Sequence, residues 1–564
     1  MRRVLFILFT LFTLNLVAQE RGQGFGVPVN LPVSLSGNYG ELRATHFHAG
    51  IDIRVGGVSG APLYAALDGY ISRISVSPTG YGLALYIDHP NGRTTLYGHM
   101  QEFAPAIASW VRDQQYTAQS YAVNLNPDKS QFPVKKGDLI GKAGNTGSSG
   151  GPHLHFEVRE TSTQIPLNPL KEAGIKIQDN IAPEFRKINL YALSGAYSIP
   201  QSKLLRGLTA PVQEVISVPD TFYVAVAGHD RQNNTSAKLA VSKYSFYLDN
   251  NLLYSFIPDN IPFDKGRYIN SLVEYPEKEE NGLSMIKSRV EPGGDLKSNI
   301  ESIQDGLFIL KDSEIHHVKV KLEDEHGNSS DRTIKVRRDT SLNMNIEADS
   351  LRFRNGIIMP WFLPNRFESD GIRFMLPPGA LYSSILFNAD TIKIANPAIT
   401  GKVWRVHSSR TPMHNSARLS LKSPYSDSLS AKAVIAKIDE NGKISSAGGV
   451  FNKGWIESFT GTFGDFAVVL DTIKPNIVPS FKAGANLSGR ASLRITISDN
   501  LSGIKDYKVT IDGVWILTSY DPKNRRLEVE LKGDKIKKGK RHSIEIQVWD
   551  NKENINQFKS SFIW

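Results

Sequence analysis

The sequence predicts a mainly β chain of several domains. An antiparallel β domain comes first, and two or more immunoglobulin-like β-sandwich domains follow. Three observations predict this. The chain has 564 residues, more than one hydrophobic core ordinarily organises. Its apolar residues fall in short alternating runs, punctuated by Gly, Pro and Asn turns. One boundary phrase occurs twice, Asp179-Asn-Ile-Ala-Pro183 and Asp471-Thr-Ile-Lys-Pro475, and each copy heads a similar series of strands.

The elements follow in order. Arg2 and Arg3 precede an apolar run from Val4 to Val17, and small residues follow around Ala18. This is the pattern of a signal peptide over 1–19, too short to span a bilayer. Residues 20–175 form the first β domain. Within it Leu83, Leu85 and Ile87 share one face of a strand, His89-Pro-Asn91-Gly92 turns the chain, and Arg93–Leu96 returns it. An insertion at 101–132, part helix, stands at the rim of a cleft. Residues 176–340 form an immunoglobulin-like β domain with extra loops such as Pro258–Asn281. Residues 341–470 form a different β domain whose fold the sequence leaves open, and 471–564 repeat the immunoglobulin-like pattern. The repeat is visible in Tyr244–Asn250 against Tyr507–Gly513, and in Val320–Asn328 against Ile546–Asn554.

Composition narrows the function. The chain is 40% apolar and 22% charged, as globular chains are. It contains no cysteine, which excludes disulfides, thiolate metal sites and a cysteine nucleophile. Its net charge of +10 on an exported chain suits anionic envelope polymers, and no nucleic-acid motif is present. The densest basic run, Lys535–Arg541, reads as a solvated hairpin turn.

Chemistry concentrates in the first third, where six of the 13 histidines lie between His46 and His155. In His153-Leu-His155-Phe-Glu157-Val158 apolar and polar residues alternate, so Leu154, Phe156 and Val158 face a core and both histidines project from the other side. His48 and Asp52, four apart, share one side of an extended or helical segment. A carboxylate closed off from water needs a cation, either a metal or a side chain such as Arg43 or Arg54. Two His and one carboxylate fit a catalytic zinc site with a water in the fourth position, and they also fit non-haem iron. Further histidines beside the metal would serve as acid and base, which points to hydrolysis.

With these residues in view, the stretch 40–160 resembles the M23 family of zinc metallopeptidases, the group of LytM and lysostaphin. The motifs that carry the resemblance are His48-x-x-x-Asp52, Pro62–Gly69, Tyr81-Gly82, Tyr97-Gly-His99, Lys135–Gly141, Gly144–Gly147 and Gly151-Pro-His153-Leu-His155-Phe-Glu157. The resemblance implies that His48, Asp52 and His155 bind Zn2+. It implies that His99 and His153 form the catalytic pair, with their roles undivided. It also implies an endopeptidase acting on peptide cross-links of peptidoglycan, in the periplasm, in the envelope or outside the cell. The Gly141–Gly151 run then forms a cleft wall, and the β domains position the enzyme or bind envelope partners. Two other functions remain open, a docking regulator of another wall hydrolase and a secreted peptidase or adhesin acting on extracellular proteins. His46 and His89 are expected to be a core-edge and a turn histidine.

Overall fold

The computed structural model describes residues 24–194, 199–233, 235–344, 356–532 and 535–564. The expected signal segment 1–19 lies outside the described residues. No helix among them is long and apolar enough to cross a membrane.

The first sheet is antiparallel and runs Leu35–Gly37, Ile51–Arg54, His153–Glu160, Arg93–Phe103, Leu83–Asp88, Gly69–Val76, Val123–Leu125. Its central strand, His153–Glu160, pairs with Ile51–Arg54 on one side and Arg93–Phe103 on the other. That placement sets His155 opposite both Asp52 and Gly98. Leu154, Phe156 and Val158 point into a core with Ile51, Ile53, Leu85 and Tyr97. The hairpin expected at His89–Gly92 is present, but its first strand is buried on both faces. Leu85 and Ile87 join the main core, whereas Ala84 and Tyr86 pack with Leu96 on the other side. Alternation alone could not show the second face, because Tyr86 is half polar and its ring is covered by Arg73 and Arg159 of other strands as well as by Leu96.

Residues 101–132 contain one helix, Pro105–Ala118, with proline at its start and Gln119 in a left-handed conformation at its end. Ile107 and Val111 bury one side of it in the first core. Its outer side meets the last β unit. Tyr116 packs edge-on against Trp515 at 5.4 Å, and Arg112 pairs with Glu530 at 3.3 Å.

Beyond Pro169 the chain is built from paired sheets. Between Glu184 and Arg338 a five-stranded and a six-stranded sheet share one core, with Leu190 and Val224 from one and Phe246 and Val318 from the other. Between Ile357 and Leu470 two five-stranded sheets and a short two-stranded one enclose Phe374, Phe387 and Phe463. Between Asn476 and Ile563 a four-stranded and a five-stranded sheet enclose Leu493, Ile546 and Phe562. The basic Lys535–Arg541 run is an exposed turn, with only Ile536 buried.

The first core is not closed on itself. Phe47 leaves it and sits in the core of the following sheets, 6.2 Å from Phe256, while Leu239 crosses the other way. The segment that carries His48 is therefore gripped from both sides.

Candidate metal centre

Asp52 lies on the short Ile51–Arg54 strand between two fully buried isoleucines, so its carboxylate points away from the core. His48 comes from the irregular turn just before that strand. His155 stands opposite Asp52 across the ladder. The three groups converge. His48 Nε2, His155 Nδ1 and Asp52 Oδ1 are mutually 3.0 Å apart. A tetrahedral zinc with bonds of about 2.0–2.1 Å would separate its donors by about 3.3 Å. All three side chains are buried.

The outer nitrogen of each ring explains the aim of the inner one. His48 Nδ1 donates to the Asn38 carbonyl at 2.8 Å, and His155 Nε2 donates to Glu157 at 2.8 Å. His153 Nδ1 donates to the Gly151 carbonyl at 2.8 Å, and His99 Nδ1 to the Thr146 carbonyl at 2.9 Å. An acceptor there fixes the proton on that nitrogen, which leaves the other with a bare lone pair. With His155 Nδ1 deprotonated, its lone pair and that of His48 meet beside an anionic oxygen, an arrangement that a metal cation satisfies; without one, a proton on His155 Nδ1 takes that place. The donor set therefore fits a zinc-type ion.

His99 and His153 stand next to this group. Their rings are 4.9 Å apart, and His153 Nε2 is 3.3 Å from Asp52 Oδ1. His99 adopts φ +58°, in the left-handed region, where the ladder of its strand shifts register. Such a backbone costs about 1–2 kcal/mol and turns the imidazole out of the strand's regular direction.

Electrostatics follow from burial and partners. Burial opposes ionisation of Asp52, but His48, His153 and His155 outweigh it and hold the carboxyl far below the usual range. Burial lowers His155, but Asp52 and Glu157 outweigh it and raise the ring to about 9. Burial, with His155 and His153 nearby, pushes His99 down to about 3, so it is a neutral ring at pH 7. His48 is lowered chiefly by burial.

Glu157 and Tyr81 stood in the sequence motifs without an assigned role, and Arg43 stood as one of two possible partners of Asp52. Glu157 is fully buried and accepts from His155, from the Tyr81 hydroxyl at 2.6 Å and from Arg159 Nε at 2.6 Å. Its position two residues past His155 puts it on the same strand face, a signal the alternation already contained. Of the two arginines considered for Asp52, it is Arg43 that binds, Nη2 to Oδ2 at 2.8 Å; Arg54 points to solvent. Asp52 thus uses one oxygen for the cluster and the other for Arg43. Gly37 lies against this pair, where a Cβ would stand 2.6 Å from Asp52 Oδ2. His46 is exposed rather than at a core edge, and His89 is a buried turn histidine held by the Asp68 carbonyl and Thr95.

The Gly-rich run forms the wall beside His99. Gly147 has φ +68°, and a Cβ there would be 2.3 Å from the Gly80 carbonyl oxygen, so only glycine fits. Across this wall lies Lys523 of the last sheets. Its ammonium donates to the carbonyls of Gly147 at 3.2 Å and Ser149 at 3.1 Å, and also to that of Asn145.

Residues 46–127 and 110–169 match Peptidase family M23. The N-terminal domain is an M23 peptidase domain. A DD-carboxypeptidase/endopeptidase, Mpg, of Neisseria meningitidis is 33% identical over 162 residues, 28% of this chain and 31% of that protein. An uncharacterized metalloprotease of Haemophilus influenzae is 30% identical over 22% of this chain and 20% of its own length. The chain thus spans under a third of these relatives. The catalytic domain of the M23 protein EnpA from Enterococcus faecalis, in a mutant form, aligns with 26% of this chain and 95% of its own. Its identity is 26% and its TM-score 0.19. Residues 357–471 match a Zu5-like domain, within the segment whose fold the sequence left open.

Proposed function

We propose that this chain is an exported zinc-dependent endopeptidase that hydrolyses peptide cross-links of bacterial peptidoglycan. One observation carries the reading: His48, Asp52 and His155 bring three donor atoms within 3.0 Å of one another, with both ring nitrogens outside the cluster already committed to acceptors. These three residues would hold the ion, and His99 and His153 would act beside it. The name of the Neisseria relative, which pairs carboxypeptidase with endopeptidase, supports a peptide substrate. The cysteine-free, basic chain suits an anionic envelope polymer.

When bound, zinc would supply a Lewis acid that acidifies water and polarises a carbonyl. The rest falls to the protein. His99, a neutral ring at pH 7, and His153 each commit Nδ1 to a backbone carbonyl and present Nε2 beside the cluster, where a free Nε2 can accept a proton from an attacking water. The same nitrogens, once protonated, can hydrogen-bond the oxygen on which charge develops and return a proton to the leaving amine.

Purified cell wall, digested with and without a zinc chelator and followed by mass spectrometry of the fragments, tests the reading. Chelator-sensitive release of peptide-cleaved fragments is expected. Intact cross-links after digestion with zinc-loaded protein would overturn it and favour a docking or extracellular role.

A further inference from the structure

At the root of the last pair of sheets three carboxylates converge. Asp471, Asp499 and Asp550 each bring one oxygen within 4.8 Å of the other two. They come from distant places: the joint after Gly464–Leu470, the turn after the Ser492–Ser498 strand, and the end of the Arg541–Asp550 strand. Asp471 and Asp550 are fully buried.

Backbone amides hold each carboxylate in place. Asp471 Oδ2 accepts from Ser502 N at 2.9 Å. Asp499 Oδ2 accepts from Leu501 N and Gly503 N, and Asp550 Oδ1 from Lys552 N and Asn554 N. What remains is the informative part. Asp471 Oδ1 and Asp499 Oδ1 are both buried and have no hydrogen-bond partner among the described residues. A buried anionic oxygen without a partner is costly, and here two belong to one cluster of three carboxylates. The Lys552 ammonium is lowered by burial and raised by Asp471 and Asp550, yet it is bonded to the Gly449 carbonyl at 2.6 Å, and the Lys432 ammonium to the Lys552 carbonyl at 2.6 Å.

The frame recurs where the same boundary phrase first occurs. Asp324 accepts from His326 N and Asn328 N, as Asp550 does from Lys552 N and Asn554 N. Asn328 Nδ2 bridges Asp324 to the Asp179 carbonyl, and Asn554 Nδ2 bridges Asp550 to the Asp471 carbonyl. Asp230, just past the Thr221–His229 strand, stands where Asp499 stands, and its Oδ1 is likewise buried without a partner among the described residues. The copies differ in the group beside the carboxylates. His326 Nδ1 lies 3.6 Å from Asp179 and can supply a counter-charge, whereas Lys552, at the corresponding place, turns away.

We propose that Asp471, Asp499 and Asp550 form a binding site for a hard divalent cation, calcium in the first instance, at the root of the last β unit. The donors are all oxygen, which suits calcium or magnesium and not zinc. They sit on turns that can complete a shell of six to eight oxygens with carbonyls and water, the number calcium takes, rather than a tight octahedron. The ion would tie the 471–476 joint to two loops of the unit it introduces. That unit carries Lys523 and Trp515, which rest on the Gly-rich wall and on the Pro105–Ala118 helix. Calcium would thereby set how the last unit lies against the peptidase domain. The inference does not depend on the proposed hydrolase activity.

The test uses full-length, zinc-loaded protein freed of calcium. Titration calorimetry with calcium chloride should show uptake with a Kd of about 1 mM or tighter, the range of extracellular calcium modules. Asp499→Asn keeps an oxygen for Leu501 N and Gly503 N but removes the charge. It should bind one calcium fewer than wild type with unchanged zinc content. Asp230→Asn identifies any equivalent taken by the first copy. No uptake by wild type, or equal uptake by Asp499→Asn, overturns the proposal. Should Asp499→Asn fail to fold, wild type alone decides. Limited proteolysis at the 471–476 joint should slow about tenfold at calcium about ten times Kd. A rate indifferent to calcium overturns the proposal.

Discussion

Replacing Glu157 by Gln tests how the candidate centre is held. The carboxylate is fully buried, and its two oxygens take three donors: His155 Nε2, the Tyr81 hydroxyl and Arg159 Nε. Burial disfavours its charge, but Arg159 and His155 outweigh that and hold it down at about 2. Glutamine keeps the shape and loses one acceptor. If the amide nitrogen faces Arg159, two donors confront each other and a buried guanidinium loses its anion. If it faces His155, the ring must move its proton to Nδ1, the nitrogen aimed at Asp52. Breaking a buried pair costs about 3–5 kcal/mol, so thermal unfolding of the metal-free N-terminal domain should fall accordingly. Losing the group that orients a metal-binding histidine costs about 10–100-fold in metal affinity. Competition against a chromophoric zinc chelator reads the second number, and circular dichroism verifies the fold. A folded Glu157→Gln protein with wild-type zinc affinity would refute the argument that this carboxylate fixes the tautomer of His155.

Further expectations follow from the same geometry. His48→Ala and Asp52→Ala should lose both zinc and hydrolysis, whereas His99→Ala and His153→Ala should keep zinc and lose about 10²–10⁴ in turnover. Metal analysis of purified variants checks this, and full activity in a zinc-free His155→Ala protein would contradict the ligand set. Lys523→Ala combined with Trp515→Ala should release the last β unit from the Gly-rich wall and the 105–118 helix, seen as faster proteolysis of the 471–476 joint; an unchanged rate would mean that these contacts do not hold it. His407 is packed between Phe387 and Phe463, and burial pushes its ring down to about 4. The unfolded chain takes up a proton near pH 6.5 and the folded chain only near 4. Stability is therefore lost as pH falls through that window, by at most about 3 kcal/mol. His407→Asn, which tolerates the +52° φ at this position, should remove that part of the acid sensitivity in calorimetry between pH 7 and 4.

Much of the architecture was legible in local pattern. Period-two alternation around Leu154, Phe156 and Val158 is enough to put His153, His155 and Glu157 on one strand face, because side-chain direction in a strand depends only on parity. Turn chemistry at Asn91-Gly92 marked the hairpin, and the doubled boundary phrase marked the two sets of sheets it heads. Parity is silent about what covers the second face. It could not show that Ala84 and Tyr86 are buried as well as Leu85, or choose Arg43 over Arg54 beside Asp52. Those outcomes rest on contacts between segments that no local period links.

The chain by itself therefore determined which residue types face which way along each strand, and so which groups were available for chemistry. Tertiary packing decided the rest. It seats Phe47 in a neighbouring core, and it sets the Asn38 carbonyl behind His48 while Asn38's own side chain pairs with the backbone of Ala240. It brings His48 to His155 across 107 residues, and Lys523 to the cleft wall across more than 370. The physical reason is that direction is a property of the backbone within a few residues, whereas proximity depends on which distant apolar surfaces exclude water together.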